Sequence, residues 1–361
     1  MTRDDLPTPA LIVQLAALDR NIATMAAWAA ERGITIRPHA KTHKSSEVAR
    51  RQIAAGAVGI CCAKLGEAEA LAAEGIEDIL ITSPIASAQA IARLADLRRR
   101  IATLAIVVDH PQQVDRLVAG MAGQTIDVLV DIDPGMHRTG VTSADAAIAL
   151  AGQIRAAGTL DYRGVQFYCG NLQHVTTVAE RREKLAERSL YLAAIITRLR
   201  DAGLAPEIVT GGGSGTFVID AELGILNELQ PGSYIFMDRE YRDCEFAGPQ
   251  FEASLAIDTR VISANTPGCV TIDAGIKAMA TEAGPPVVLD GADPASLYRF
   301  MGDEQGMLVT PPAAPDPELD ARVTLLTPHC DPTVNLYDRY AVCDGEDVIG
   351  FWPVSARGRS G

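Results

Sequence analysis

The sequence predicts an α/β protein in two parts: a TIM-like (β/α)8 barrel over residues 17–245, then a β-rich domain over 246–361. The N-terminal segment 1–16 is expected to join the second part. Three observations lead there. Between residues 18 and 235, short β-rich runs alternate with Ala/Leu-rich stretches about eight times, over the length such a barrel needs. A doubly wound sheet would also alternate, but gives no reason for eight strands. Beyond residue 245, runs such as "FEASLAIDTRVISA" and "CVTIDAGIK" alternate apolar and polar between turn residues.

The elements follow in order. "LDRNIATMAAWAAERG" (18–33) reads as a helix, with Asp19 as its cap, Ile22, Met25, Trp28 and Ala29 on one face, and Gly33 at its end. Strands are expected near 34–37, 58–61, 79–82, 104–108, 126–132, 164–168, 207–210 and 227–236. Helical stretches such as "KSSEVARRQIAAG" and "AERREKLAERSLYLAAIITRLRDAG" lie between them. "PPAAPDPELD" is a loop, with Pro at four of ten positions.

The 361 residues carry a net charge of −14, which excludes a nucleic-acid binder of the basic-patch type. No apolar run reaches the roughly 20 residues of a membrane span. "MTRDDLPTPA" has no signal-peptide core, so a cytoplasmic protein is the expectation. Seven cysteines without CxxC spacing read as reduced, mostly buried thiols.

In a barrel, functional groups gather where strands end. "RPHAKTHK" (37–44) follows the first strand and offers Lys41 and Lys44. A lysine held there among cations can have a lowered pKa and act as an amine nucleophile; otherwise the stretch is a solvated basic loop. "TGGGSGT" (210–216) follows the seventh strand, where Gly211, Gly212, Gly213, Ser214, Gly215 and Thr216 can approach a phosphate. "QPGSY" (230–234) would complete the cradle with Gly232 and Ser233. There is no GxxxxGK[ST], so no nucleotide P-loop. Arg138 in "MHRTG" follows the fifth strand and suits an anionic oxygen. "FYCGNLQH" follows the sixth and brings Tyr168, Gln173 and His174. Of six histidines, His39, His43, His137 and His174 fall in these loops. In "TPHCDPTVN", an extended chain would put His329 and Asp331 on one face with Cys330 turned away. That pair offers one nitrogen and one carboxylate to a divalent metal.

Taken together, "PHAKTHK", "YCGNLQH", "GGGSGT", "LQPGSY" and "PHCDPTVN" resemble the D-threonine aldolase and D-serine dehydratase branch of the alanine racemase-like, fold-type III pyridoxal phosphate enzymes. The resemblance runs from about residue 7 to 350. It implies that Lys41, not Lys44, carries the cofactor as a Schiff base. The cofactor phosphate would sit on 211–216, Gly232 and Ser233, with Arg138 at its phenolic oxygen and Tyr168 beside it. Gln230 falls where alanine racemases carry an arginine near the ring nitrogen. The dehydratases place cysteine two residues after the metal-binding histidine; Asp331 stands there instead, the aldolase-like choice, and a harder ligand suited to Mn²⁺ or Mg²⁺ as well as Zn²⁺.

The expected activity is retro-aldol cleavage of D-β-hydroxy-α-amino acids to glycine and an aldehyde, with His174 or a metal-bound water taking the hydroxyl proton. Alternatives are a D-3-hydroxyaspartate aldolase, a D-serine or D-3-hydroxyaspartate dehydratase, and a non-catalytic pyridoxal phosphate carrier. A homodimer, each barrel facing the partner's β domain, is also implied by the resemblance.

Overall fold

The computed structural model describes all 361 residues. The chain opens with β1 (Ala10–Gln14) and α1 (Leu15–Arg32), then β2 (Thr35–Ile36), α2 (Ser46–Ala54), β3 (Ile60–Cys62) and α3 (Leu65–Ala73). It continues through β4 (Asp78–Ile81), α4 (Ala88–Arg98), β5 (Thr103–Val108), α5 (Pro111–Gly120), β6 (Ile126–Asp131) and α6 (Ala144–Ala156). Next come β7 (Leu160–Phe167), α7 (Val178–Asp201), β8 (Ile208–Gly211), α8 (Phe217–Leu223), β9 (Glu228–Leu229) and the short α9 (Arg239–Arg242). The remainder is strand-rich: β10 (Leu255–Thr266), β11 (Cys269–Ile272), β12 (Val287–Asp290), β13 (Leu297–Phe300), β14 (Gly306–Val309) and β15 (Arg322–Leu326). After one helical turn, α10 (Cys330–Val334), it ends in β16 (Arg339–Asp344) and β17 (Asp347–Pro353).

Strands β2 to β9 form one parallel sheet in the order β2-β9-β8-β7-β6-β5-β4-β3. The ring closes between β2 and β3: Cys61 N–H donates to the Pro38 carbonyl (2.8 Å), and Ala40 N–H to that of Cys61 (2.8 Å). The eight-stranded barrel therefore stands as the sequence predicts, with β3 fully buried and β6 nearly so, as strands covered by helices must be. Local chemistry starts the helices: Ser87, Ser143 and Thr177 each cap their own helix through the side-chain oxygen, and Pro111 opens α5. Gly33 ends α1 in the left-handed conformation, φ 62°.

Three readings need correction. Asp19 does not cap α1, because the helix starts at Leu15 directly after β1; Asp19 lies inside it and pairs with Arg51 at 2.8 Å. The last barrel strand spans only Glu228–Leu229, and Ser233–Ile235 is a 3₁₀ turn. The third concerns residues 329–331 and is taken up with the site.

The second sheet has nine strands. Its main path runs β13-β14-β11-β10-β1-β16-β17, with β15 bonded to β10 and β12. β1 lies between β10, antiparallel, and β16, parallel, so the N-terminal strand is part of this sheet. A buried Arg3–Asp258 ion pair (2.6 Å) fastens it further. Two contacts hold this sheet against the barrel's first loop: the Tyr340 hydroxyl of β16 donates to the His43 carbonyl, and Ala356 N–H donates to the Lys44 carbonyl (2.9 Å).

Candidate active site

A cavity of about 500 Å³ opens at the C-terminal ends of the barrel strands, where the fold concentrates function. Nineteen residues line it and only three are hydrophobic, so it is built for a polar, charged occupant. Lys41, Arg138, Tyr168, Gly213, Ser214, Gln230, Gly232 and Ser233 all face it, from the loops after β2, β6, β7, β8 and β9.

The 211–216 loop divides into lining and support. Ser214 Oγ accepts the Tyr234 N–H (2.9 Å), which leaves its hydroxyl proton free to donate. The backbone N–H groups of Ser214, Gly232 and Ser233 have no acceptor within the protein, an arrangement that fits a phosphate. Thr216 instead ties the loop together: its Oγ1 accepts the Gly213 N–H (3.1 Å) and the Gln173 Nε2–H (3.0 Å). Gly215 donates to Gln173 Oε1 (3.0 Å), and a Cβ there would fall 2.0 Å from the Gln173 carbonyl oxygen. Gly211 and Gly212 lie behind the lining; a Cβ would meet the Phe167 carbonyl at 1.9 Å or the Asp220 carboxylate at 2.6 Å. Several of these glycines are therefore needed for close packing.

The cavity floor is a chain of amides. Gln230 Nε2 donates to Thr210 Oγ1 (2.9 Å) and towards Gln166 Oε1 (3.4 Å), and Gln166 Nε2 donates to Asp131 (2.9 Å). Gln230 thus contributes an uncharged amide to the cavity floor. Burial raises the Asp131 carboxyl to about 6, against the lowering effect of Thr139 and Gln166. Arg138 has no carboxylate partner, and its guanidinium sits 5.5 Å from the Tyr168 ring centroid.

Lys41 is the meeting point of the two sheets. Its Nζ pairs with the Asp331 carboxylate, which comes from α10 of the same chain, so a single chain brings the lysine and the carboxylate together. Burial would lower the Lys41 pKa, but Asp331 and Tyr168 outweigh it and the net shift is upward. This corrects the expectation of a lowered pKa: the nearest charged neighbour is an anion. Asp331 is held well below the carboxylate range; burial opposes this, but Lys41 and His329 prevail.

Residues 329–331 are not an extended run. His329 has extended backbone (φ −141°, ψ 123°), and Cys330 starts a helical turn. The buried Asp238 carboxylate accepts the Cys330 N–H (2.7 Å), and Thr327 accepts the Arg239 N–H (3.1 Å), which locks this segment to the barrel's last loop. Cys330 is fully buried while Asp331 reaches Lys41. His329 Nδ1 lies 2.8 Å from Glu282 and 3.5 Å from Glu240, so Nδ1–H donates to Glu282. His174 is exposed and does not itself line the cavity; its ring lies 4.4 Å from that of the lining residue Tyr241, edge-on to it. Desolvation, then His329 and Lys41, lower its pKa, so it is neutral at pH 7.

Sequence reasoning missed Tyr241, Gln166, Lys64 and Glu282. His39 was noticed only as one of a cluster. Its Nδ1 accepts the Lys41 N–H (3.3 Å), so Nε2–H donates to Thr82 Oγ1 (3.0 Å) while Thr82 donates on to Cys62 (3.2 Å). His39 is a neutral imidazole, its pKa lowered to about 3 by burial and then by Lys41.

Comparison with known proteins agrees with this architecture. Residues 13–240 match the family "Alanine racemase, N-terminal domain", and residues 254–343 match a "serine dehydratase domain". A D-threonine aldolase of Arthrobacter sp is 39% identical, over 98% of this chain and 93% of its own. A 3-hydroxy-D-aspartate aldolase of Paracoccus denitrificans is 37% identical, over 99% and 94%. The crystal structure of D-threonine aldolase from Filomicrobium marinum superposes with a TM-score of 0.95 at 39% identity, covering 99% of this chain and 97% of that one. Dehydratase relatives are more distant. The chain belongs to the D-threonine aldolase family of alanine racemase-like, fold-type III pyridoxal phosphate enzymes.

Proposed function

We propose that this protein cleaves D-threonine and related D-β-hydroxy-α-amino acids to glycine and an aldehyde, using pyridoxal 5'-phosphate and a divalent cation. The carrying observation is the juxtaposition at Lys41: a carboxylate, Asp331, stands beside the cofactor lysine, with His329 two residues before it and the exposed His174 against Tyr241 of the cavity wall.

The residues divide the work as follows. Lys41 is the residue that would hold the cofactor covalently. Ser214, Gly213, Gly232 and Ser233 hold the phosphate, and Gly211, Gly212, Gly215 and Thr216 keep that loop in shape. Arg138 would supply positive charge to the cofactor, Tyr168 an aromatic face, and Gln230 an uncharged amide. His329 and Asp331 would hold Mn²⁺, with Mg²⁺ and Zn²⁺ as further candidates for this mixed N/O set. The bound cofactor supplies the electron sink for breaking Cα–Cβ, and the bound cation supplies positive charge at the β-hydroxyl. His174, neutral at pH 7, accepts the hydroxyl proton.

The domain division 17–245 and 246–361, with 1–16 joining the latter, rests on the two sheets and the two family matches. A homodimer is supported by exposed apolar residues on the second sheet, Leu289 and Leu297 among them, and by Met301 just beyond β13. A cytoplasmic location is supported by seven free cysteines, five of them buried. No helix is long and apolar enough to cross a membrane.

The test is aldehyde release by purified protein loaded with pyridoxal phosphate and Mn²⁺. D-threonine should yield acetaldehyde and L-threonine should not; EDTA should abolish the reaction and Mn²⁺ restore it. Turnover of D-threonine untouched by EDTA would overturn the roles given to His329 and Asp331.

A further inference from the structure

We propose that Lys64 binds a substrate carboxylate. The inference rests on the aldolase reading above and deepens it. The chain holds only five lysines. Four have carboxylate partners: Lys41 with Asp331, Lys44 with Glu67, Lys184 with Glu180 and Lys277 with Glu304. Lys64 alone has none, in a chain of net charge −14, and it faces the active-site cavity.

The cavity is correspondingly positive. Three cations line it (Lys41, Lys64 and Arg138), and its one acidic lining residue, Asp109, is already engaged. Its Oδ2 accepts the Gly140 N–H (2.9 Å) and its Oδ1 the Gln113 amide (2.8 Å). Under the proposed reading, Lys41 is committed to the cofactor and Arg138 to the phenolic oxygen. Every amino-acid substrate brings a carboxylate, and 3-hydroxyaspartate brings two. Lys64 is the cation left to receive one.

Its placement is built. Lys64 sits at the first residue before α3, just beyond β3. The Glu67 side chain accepts the N–H groups of both Ala63 (2.9 Å) and Lys64 (3.2 Å), and its other oxygen pairs with Lys44 at 2.7 Å. The backbone under Lys64 is thus fastened to the loop that carries Lys41, while its ammonium stays exposed and unpaired. With the backbone fixed and no ion pair to break, engaging an anion costs only the ordering of the Lys64 side chain. Lys64 also lies on the wall formed by the β3 and β4 loops, with Ser83, away from the phosphate loop after β8.

The test uses holoenzyme carrying Lys64→Met or Lys64→Arg, with D-threonine and D-3-hydroxyaspartate as substrates. Lys64→Met should raise KM about tenfold for at least one of them, as loss of a charge-assisted hydrogen bond does, and Lys64→Arg should recover part of it. A rise for both substrates assigns Lys64 to the α-carboxylate; a rise for 3-hydroxyaspartate alone assigns it to the distal one. Cofactor affinity, read by absorbance titration, should stay unchanged. Unchanged KM values, or an equal loss of cofactor affinity, would overturn the proposal. Malonate binding to the holoenzyme by calorimetry separates it from the aldolase reading: about tenfold weakening in Lys64→Met supports Lys64 even if neither substrate is cleaved, and equal binding overturns it.

Discussion

Replacing Lys41 by alanine takes an ammonium away from a carboxylate whose side chain is only 13% exposed, while the lysine itself is 37% exposed. Breaking a fully buried pair costs about 3–5 kcal/mol, and an exposed pair is worth roughly 0–1 kcal/mol. With one partner enclosed and the other in contact with water, Lys41→Ala should cost the cofactor-free protein about 2 kcal/mol. Asp331→Ala should cost less, about 1 kcal/mol, because the ammonium left behind reaches solvent. The double variant should lose less than the sum by about 1 kcal/mol, the coupling expected of groups in direct contact. The sign with pH is fixed. The Asp331 pKa is lowered from 3.8, so its share is present above that value and disappears as acid protonates it. The Lys41 pKa is raised from 10.5, so its share is present below that value and disappears at higher pH. The coupling should hold from about pH 5 to 10 and fade on both sides. Urea unfolding of the four cofactor-free, metal-free proteins measures it. A coupling near zero at pH 7, or stabilisation by Lys41→Ala, would refute the pairing.

Further outcomes follow from the same geometry. Asp331→Asn removes the anion that raises the Lys41 pKa, so added pyridoxal phosphate should react with Lys41 faster at pH 7, seen as quicker growth of its visible absorbance band. Gly215→Ala places a Cβ against the Gln173 carbonyl and displaces the phosphate loop; cofactor affinity should fall about tenfold or more in a fluorescence titration. His174→Gln should lower kcat about 10²–10⁴-fold with KM little altered, read in steady-state kinetics.

The barrel was legible because β-rich runs and Ala/Leu-rich stretches alternate in order, and Gly33 marks its helix end through a left-handed backbone. Lys41, Arg138, Tyr168 and Ser214 were legible because functional loops follow strands, and the structure gathers them around one cavity. The short turn at Cys330 was missed although its signal was present: Pro332 fits the first turn of a helix, where no intrahelical N–H bond is lost. The Lys41–Asp331 pair spans 290 residues, and no local pattern predicts such a contact. Tyr241 and Glu282 were missed for the same reason, since each acquires meaning only beside His174 or His329. Lys64 looks like any surface lysine until every other lysine is seen to have a partner.

The most direct test is the product partition from D-threonine with the holoenzyme and Mn²⁺. Acetaldehyde and glycine are expected in equal amounts, and both are lost in Lys41→Ala. Formation of 2-oxobutyrate and ammonia instead would contradict the aldolase reading and make the protein a dehydratase despite Asp331.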